Sequence, residues 1–148
     1  MKLLLDTHIL LWVMLGAPQL HPAARRLIEE ADSLHVSTVS LWELAIKRSL
    51  GKLKLDTDAL DAHLAASAIQ PLAISWAHAR QLRALPAGHG DPFDRMLVAQ
   101  AMAEPLYLLT AQTDQGALGI NSKAISCGLS ARWLRLSTSM PNTLPLTS

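Results

Sequence analysis

The residues best suited to chemistry in this chain are acidic side chains that flank apolar segments. Asp6 ends a run of three leucines, Glu43 lies early in a predicted helix, Asp91 and Asp94 open a second helix, and Asp114 follows a short apolar run. Carboxylates gathered around one cleft repel one another unless cations neutralise them. Hard divalent ions such as Mg²⁺ or Mn²⁺ suit oxygen ligands, so the pattern predicts a metal site that could activate water against a phosphodiester.

Each acidic residue also has a structural interpretation. Glu43 stands three residues after Ser40, which favours a helix capping box when this pair is considered alone. Asp91 is a good N-cap residue, and Asp94 then lies in the first turn, where an acid stabilises the helix dipole. Asp6 is different, because an acid within so apolar a stretch would be costly to bury without partners. We therefore expect a functional role for Asp6 in particular.

Several other side chains have two open interpretations. His8 could be a ligand or general base, although a hydrogen-bonded histidine near a helix start is favoured. Trp12 and Trp42 are apolar anchors that belong either to the core or to a partner-binding surface. A group of basic residues could hold RNA phosphates, and a solvated helix end explains them equally well. The group consists of Lys47, Arg48, Lys52 and Lys54.

Apolar periodicity predicts strands that alternate with helices. This order is typical of an α/β fold with a parallel sheet covered by helices, in which ligands bind beyond the carboxyl ends of the strands. Asp6, Glu43 and Asp114 are expected at that edge, and the helix that Asp91 and Asp94 open could point its N-terminus to the same crevice. The predicted strands are 2–5, 34–37, 71–74 and 106–109. A buried helix is predicted directly after the first strand, and further helices are predicted at 22–31, 39–50, 57–67, 75–82 and 91–103.

Composition narrows the class of protein. The chain has 148 residues, which suits one domain, and its net charge is +1 from 13 basic and 12 acidic residues. This charge neither requires nor excludes an RNA partner. A single cysteine excludes an internal disulfide and a cysteine-rich zinc site. The apolar N-terminal run is interrupted by Asp6 and is too short to span a membrane, so we expect a cytoplasmic protein without a membrane partner.

The C-terminal part of the sequence has a different character. From Gln115 onward there is no acidic residue, and Ser, Thr, Pro and Asn are frequent after Asn121. We expect one domain over residues 1–120, followed by an atypical, loosely ordered tail over residues 121–148.

Three sequence blocks together resemble one known family, the PIN-domain ribonuclease toxins of the VapC type. Residues 1–12 (MKLLLDTHILLW) are similar to the opening of these toxins. Residues 36–47 (VSTVSLWELAIK), continued by Leu50-Gly51-Lys52-Leu53, look like the second acidic motif. Residues 91–101 (DPFDRMLVAQA) are similar to the third. The blocks occur in the family's order, and the resemblance covers roughly residues 1–120.

The resemblance implies a PIN-like fold, a twisted and mainly parallel sheet flanked by helices. It implies that Asp6, Glu43 and Asp94 bind a catalytic Mg²⁺ or Mn²⁺ and position a water that cleaves RNA endonucleolytically. Asp91 and Asp114 are further candidate metal ligands, and Thr7 and Lys47 are candidates for substrate contact. The resemblance also implies a cognate antitoxin as partner, and a homodimer.

The sequence departs from the family after the last predicted strand. The family has Thr-Ala-Asp there, whereas this chain reads Thr110-Ala111-Gln112-Thr113-Asp114. Asp114 could take the acidic role after a shift of two residues. The alternative is a non-catalytic binding protein that keeps the fold but lacks a proper fourth acidic ligand. A phosphatase of the haloacid dehalogenase type is disfavoured, because it needs a second Asp where His8 stands.

Overall fold

The structure is a computed structural model that describes residues 1–85, 87, 91–110 and a strand at 124–126. Within these residues, five strands form one parallel sheet, and six helices accompany it. The strands are β1 (Lys2–Leu5), β2 (Ser33–Ser37), β3 (Ile69–Leu72), β4 (Tyr107–Thr110) and β5 (Ala124–Ser126). The helices are α1 (Thr7–Leu15), α2 (Pro22–Glu30), α3 (Thr38–Ser49), α4 (Thr57–Ala66), α5 (Trp76–Ala84) and α6 (Pro92–Ala103).

The strand order β3-β2-β1-β4-β5 places β1 at the centre of the sheet. All paired strands run parallel, and the register sets Leu5 beside Val36 on one side and beside Leu109 on the other. The carboxyl ends of β1, β2 and β4 therefore meet at one edge of the sheet. The predicted α/β class and parallel sheet are confirmed.

Alternating residues of β1 point to opposite faces of the sheet, and both faces are covered. Leu3 and Leu5 are fully buried in a cluster that also contains residues of α1, α2, α3 and α4. Leu4 is fully buried in a second cluster, together with residues of β4 and α6. A strand that is buried on both faces must be apolar along its whole length, which explains the unbroken leucine run before Asp6.

Residues at the helix ends explain where several elements begin and stop. The side chains of Ser37, Asp56 and Ser75 accept backbone N–H groups at the starts of α3, α4 and α5. Gly16, directly after α1, and Gly51, after α3, have φ of 58° and 69°, a left-handed conformation that costs glycine little. The predicted position of Gly51 at the end of the third helix is confirmed.

The helix predicted after the first strand begins at Thr7, where Asp6 caps it. Two other predictions about the elements need correction. The third strand is Ile69–Leu72 rather than 71–74, because pairing with β2 fixes its register at Leu34 with Ile69 and Ser37 with Leu72. A final strand was not recognisable in the sequence after Asn121, yet β5 pairs with β4 there. The rest of the segment predicted as a loose tail lies outside the described residues.

None of the described helices is both long enough and apolar enough to cross a bilayer.

Candidate active site

Asp6 lies at the centre of the sheet edge, where β1 passes into α1. Its backbone N–H donates to the carbonyl of Leu109 in β4 at 3.0 Å. Its Oδ1 accepts the backbone N–H of Ile9 at 2.8 Å, so the carboxylate caps α1. The residue is only 4% exposed. Sequence reasoning expected a buried acid that needs partners, and the helix start supplies one of them.

Glu43 is the second buried carboxylate, and it is only 3% exposed. Its Oε2 accepts a hydrogen bond from the hydroxyl of Thr7, the residue directly after Asp6. Its Oε1 lies 3.0 Å from Nζ of Lys47, one helical turn further along α3. A buried carboxylate is stable only when its charge is compensated, and here one cation and one hydroxyl provide the compensation. The contact with Thr7 also joins the start of α1 to α3, close to Asp6.

The capping-box interpretation of Ser40 and Glu43 is wrong. Helix α3 begins two residues before Ser40, and Ser37 is its N-cap, with Oγ accepting the N–H of Val39 at 3.1 Å. Ser37 takes this role because it is the residue at which β2 ends and the helix starts. Ser40 instead lies inside the first turns, fully buried, and its Oγ has no hydrogen-bond partner within the described residues.

Asp94 lies in the first turn of α6, and Asp91 caps that helix. Oδ1 of Asp91 accepts the backbone N–H of Phe93 at 2.7 Å and that of Asp94 at 3.4 Å. The predicted capping role of Asp91 is confirmed, and Pro92 occupies the first helical position as expected. Asp91 is exposed, whereas Asp94 is half-buried.

An aromatic contact joins the start of α6 to α3. The rings of Trp42 and Phe93 meet edge to face, with centroids 5.1 Å apart and an interplanar angle of 79°. Trp42 precedes Glu43 and Phe93 precedes Asp94, so this contact brings the backbone segments of the two acids together. The three acids of the sequence blocks are thereby linked: Asp6 to Glu43 through Thr7, and Glu43 to Asp94 through the aromatic pair.

The acids do not form a ready-made ion cage. Among the residues that the structure describes, no three His, Cys, Asp or Glu side chains are grouped closely enough to hold a metal ion. Both carboxylate oxygens of Glu43 already have partners, because Lys47 holds one and Thr7 holds the other. The site thus consists of two buried carboxylates and a third nearby, with Lys47 supplying a positive charge.

The remaining predicted site residues fall in different places. Thr7 and Lys47, expected to contact substrate, both hold Glu43. Arg48 donates from Nη1 to Thr57 at 3.0 Å. His8 is exposed in the first turn of α1, with its ring centroid 6.2 Å from that of Trp12. Trp12 packs against the core, whereas Trp42 is 59% exposed. Asp114 lies outside the described residues.

Sequence reasoning missed a buried histidine. His78 in α5 is 1% exposed, and its Nε2 lies 2.8 Å from Oε1 of Glu104, just after α6. Its Nδ1 accepts the backbone N–H of Ser75 at 3.0 Å. The spacing of Ser75 and His78 was a usable signal, because a polar residue three after an N-cap can close a capping box. These contacts join α5 to the end of α6 on the face of the sheet to which Leu4 points.

Comparison with known proteins identifies the family and the fold. The model of the PIN domain family matches residues 3–120. The chain is 32% identical over 109 residues to Ribonuclease VapC22 of Mycobacterium tuberculosis, covering 72% of this chain and 84% of that protein. Two solved structures share the fold at about one-fifth identity, VapBC2 from Rickettsia felis bound to a promoter DNA fragment and a toxin-antitoxin complex from Klebsiella pneumoniae.

The two structural matches cover most of each chain. For the Rickettsia felis protein the identity is 20%, the TM-score is 0.53, and the match covers 76% of this chain and 89% of the other. For the Klebsiella pneumoniae protein the values are 21%, 0.55, 78% and 90%. At this identity they establish the fold, while the sequence matches establish the family. The chain belongs to the PIN domain family and resembles its VapC ribonucleases.

Proposed function

We propose that this chain is an endoribonuclease toxin of the VapC type, which hydrolyses phosphodiester bonds of RNA in the cytoplasm. Two observations support the proposal: the relatedness to a protein named a ribonuclease, and the site itself. The observation that carries most weight is the burial of Asp6 and Glu43 at the carboxyl edge of the sheet, where Thr7 links them. A chain maintains two such carboxylates, at the desolvation cost that burial implies, when they perform a task.

The donor set of the site suits a divalent cation. Asp6, Glu43 and Asp94 offer carboxylate oxygens, which are the ligands that Mg²⁺ and Mn²⁺ prefer. The buried hydroxyl of Ser40, one turn before Glu43 in α3, is a further oxygen here, and none of the described residues hydrogen-bonds to it. We infer that Asp6, Glu43 and Asp94 would hold the ion, with Asp91 and Asp114 as further candidates. A bound ion would lower the pKa of water and offset the developing phosphate charge.

The residues around the carboxylates have separate tasks in this proposal. Thr7 fixes the orientation of the Glu43 carboxylate through its hydroxyl. Lys47 neutralises Glu43 while the protein is free, and its ammonium group offers a positive charge to an incoming phosphate. Asp6 is held by the start of α1, so its position is fixed before substrate binds. Such preorganisation means that little rearrangement is needed when the reaction occurs.

A cognate antitoxin and a second copy of the chain are the proposed partners. One structural relative is a toxin-antitoxin complex and the other is VapBC2 bound to DNA of its promoter, which supports a protein inhibitor for this chain as well. A homodimer is expected from the resemblance to VapC toxins. A membrane partner is not part of the proposal.

The experiment that tests the function is cleavage of a mixed RNA pool by the purified chain. Reactions contain Mg²⁺, Mn²⁺ or EDTA, and the products are separated by length. Discrete fragments with either metal and none with EDTA are expected. Folded protein that binds RNA but leaves it intact with every metal would contradict the enzyme and favour the alternative, a PIN-fold binding protein in which Gln112 stands where the family has an acid.

A further inference from the structure

Trp42 is an exposed aromatic side chain beside the candidate active site. It is 59% exposed, although it directly precedes the buried Glu43. An exposed indole beside buried polar site residues offers a flat apolar face on which a planar ligand group can rest. The chemistry proposed above uses the carboxylates, Thr7 and Lys47. It gives the indole of Trp42 no role.

Phe93 fixes the position of this indole. The edge-to-face contact, with 5.1 Å between centroids, restrains Trp42 while most of its surface stays open to solvent. Since Phe93 adjoins Asp94, the aromatic pair lies between the segments that carry two of the candidate metal ligands. A planar group resting on Trp42 would therefore lie next to the reacting phosphodiester.

We propose that Trp42, braced by Phe93, is a stacking platform for an unpaired RNA base adjacent to the scissile phosphate. This inference rests on the proposed function and adds a substrate subsite to it. Unpaired bases stack on exposed aromatic rings, whereas the bases of a duplex already stack on one another. Single-stranded RNA is the class of ligand that fits, because its charged backbone can reach Lys47 while a neutral base covers the indole.

Basic side chains on and beyond α3 supply a positive charge that an RNA backbone can use and an apolar protein segment cannot. Lys47 lies one turn beyond Glu43 in α3, and Lys52 and Lys54 are exposed just beyond the end of that helix. These cations can attract a phosphate backbone running along α3. A ring that stood alone in an apolar patch would favour a protein partner instead.

The test measures RNA affinity in an Asp6→Asn background, in which the substrate survives. The probe is a fluorescent single-stranded RNA of mixed sequence, about 12 nucleotides long, within the range of single-strand binding sites. A sugar-phosphate oligomer of equal length without bases measures the backbone contribution alone. The variants are Trp42→Ala and Trp42→Phe. Trp76→Ala serves as the matched control, because Trp76 is 76% exposed in α5.

Trp42→Ala should weaken RNA binding about 5- to 150-fold, the range that corresponds to the loss of one stacked base. Trp42→Phe should keep most of the affinity, and Trp76→Ala should keep nearly all of it. The baseless oligomer should bind the background protein and Trp42→Ala equally. This last comparison separates stacking from a general structural loss, which urea unfolding of each variant also measures.

Three results would overturn the subsite. Equal RNA affinity of the background protein and Trp42→Ala would refute it while leaving the nuclease intact, and would assign the indole to a protein partner. Equal losses in Trp42→Ala and Trp76→Ala would show a general aromatic effect. Failure of the background protein to bind any RNA, together with failure of the wild type to cleave it, would overturn the proposed function as well.

Discussion

The hydroxyl of Thr7 donates a hydrogen bond to Oε2 of Glu43, although the two residues are 36 positions apart in sequence. Thr7 follows Asp6 directly, so this contact couples the two most buried acids of the site. It also joins α1 to α3 at the carboxyl edge of the sheet. If this hydrogen bond were lost, the buried hydroxyl of Thr7 would lose its partner, and an unsatisfied buried polar group destabilises the fold.

Replacing Thr7 by valine tests this coupling, because valine keeps the shape and removes the hydroxyl. We expect the free energy of unfolding to fall by about 1.5–3 kcal/mol, the typical value for a hydrogen bond to a charged group. RNA cleavage should fall as well, since Glu43 loses its fixed orientation. Urea unfolding and a cleavage assay measure the two effects. Thr7→Ser is the control, and a loss as large as that of valine would contradict the hydrogen-bond account.

Lys47 is expected to compete with a divalent cation for Glu43. Lys47→Met keeps the length of the side chain and removes its charge, so we expect tighter Mg²⁺ binding, seen as a larger thermal stabilisation at equal Mg²⁺ concentration. Without metal, the variant should be destabilised by about 1–2 kcal/mol, between the values of an exposed and a buried ion pair. Arg48→Met, on the same helix but bonded to Thr57, is the control. Weaker Mg²⁺ binding by Lys47→Met would rule out competition.

Asp91 and Asp94 are expected to have different roles, Asp91 in helix stability and Asp94 in RNA cleavage. Asp91→Ala should cost about 1 kcal/mol of stability, because the first turn of α6 loses its cap. Its RNA cleavage should change little. Asp94→Asn should reduce cleavage far more strongly than Asp91→Ala does. Chemical unfolding and initial cleavage rates distinguish the two effects, and the reverse ranking would mean that the cap and the ligand have been interchanged.

The sequence predicted the strands and helices that carry the site residues better than the contacts between those residues. Asp6 was expected to need partners, because an acid amid leucines is costly to bury alone, and the N–H of Ile9 is one such partner. The pair Ser40 and Glu43 misled, because a capping box is a local pattern and its meaning depends on where the helix begins. Helix α3 begins at the end of β2, so Ser37 became the cap and Glu43 was left to pair with Thr7 and Lys47.

Other misses have the same cause, namely dependence on distant parts of the chain. The register of β3 is set by pairing with β2 rather than by its own residues. The ion-pair partner of His78 could not be predicted from local sequence, because Glu104 lies 26 residues away and only the packing of α5 against α6 brings the two together. The choice between core and surface for Trp42 likewise depended on Phe93, a residue of another helix. Local patterns gave the helices and strands, and packing decided which side chains meet.

His35 gives a prediction about pH that does not depend on the site. Burial of its ring in β2 lowers the pKa of His35 below its ordinary value of 6.5, and the charge of Lys2 lowers it further. Between pH 6.5 and the lower folded value, the unfolded chain binds a proton that the folded chain does not bind. Stability therefore falls as pH drops through this window.

His35→Gln should flatten this dependence, because glutamine does not titrate. Urea unfolding at about pH 7.5 and about pH 5.5 gives the change in unfolding free energy for each protein. The variant should lose less stability on acidification than the wild type. An identical loss in the two proteins would mean that other groups account for the pH dependence.

The central claim is that the charge of Asp6 serves catalysis, and Asp6→Asn tests it most directly. Asparagine caps helices as well as aspartate does, so the hydrogen bond from Ile9 can survive while the charge is removed. The measurement is the rate of RNA cleavage with Mg²⁺, alongside the urea unfolding midpoint. We predict an unchanged fold, near-wild-type stability and a rate reduced about 100-fold or more, the scale of losing one preorganised electrostatic group. A folded Asp6→Asn protein that cleaves RNA at the wild-type rate would contradict the account.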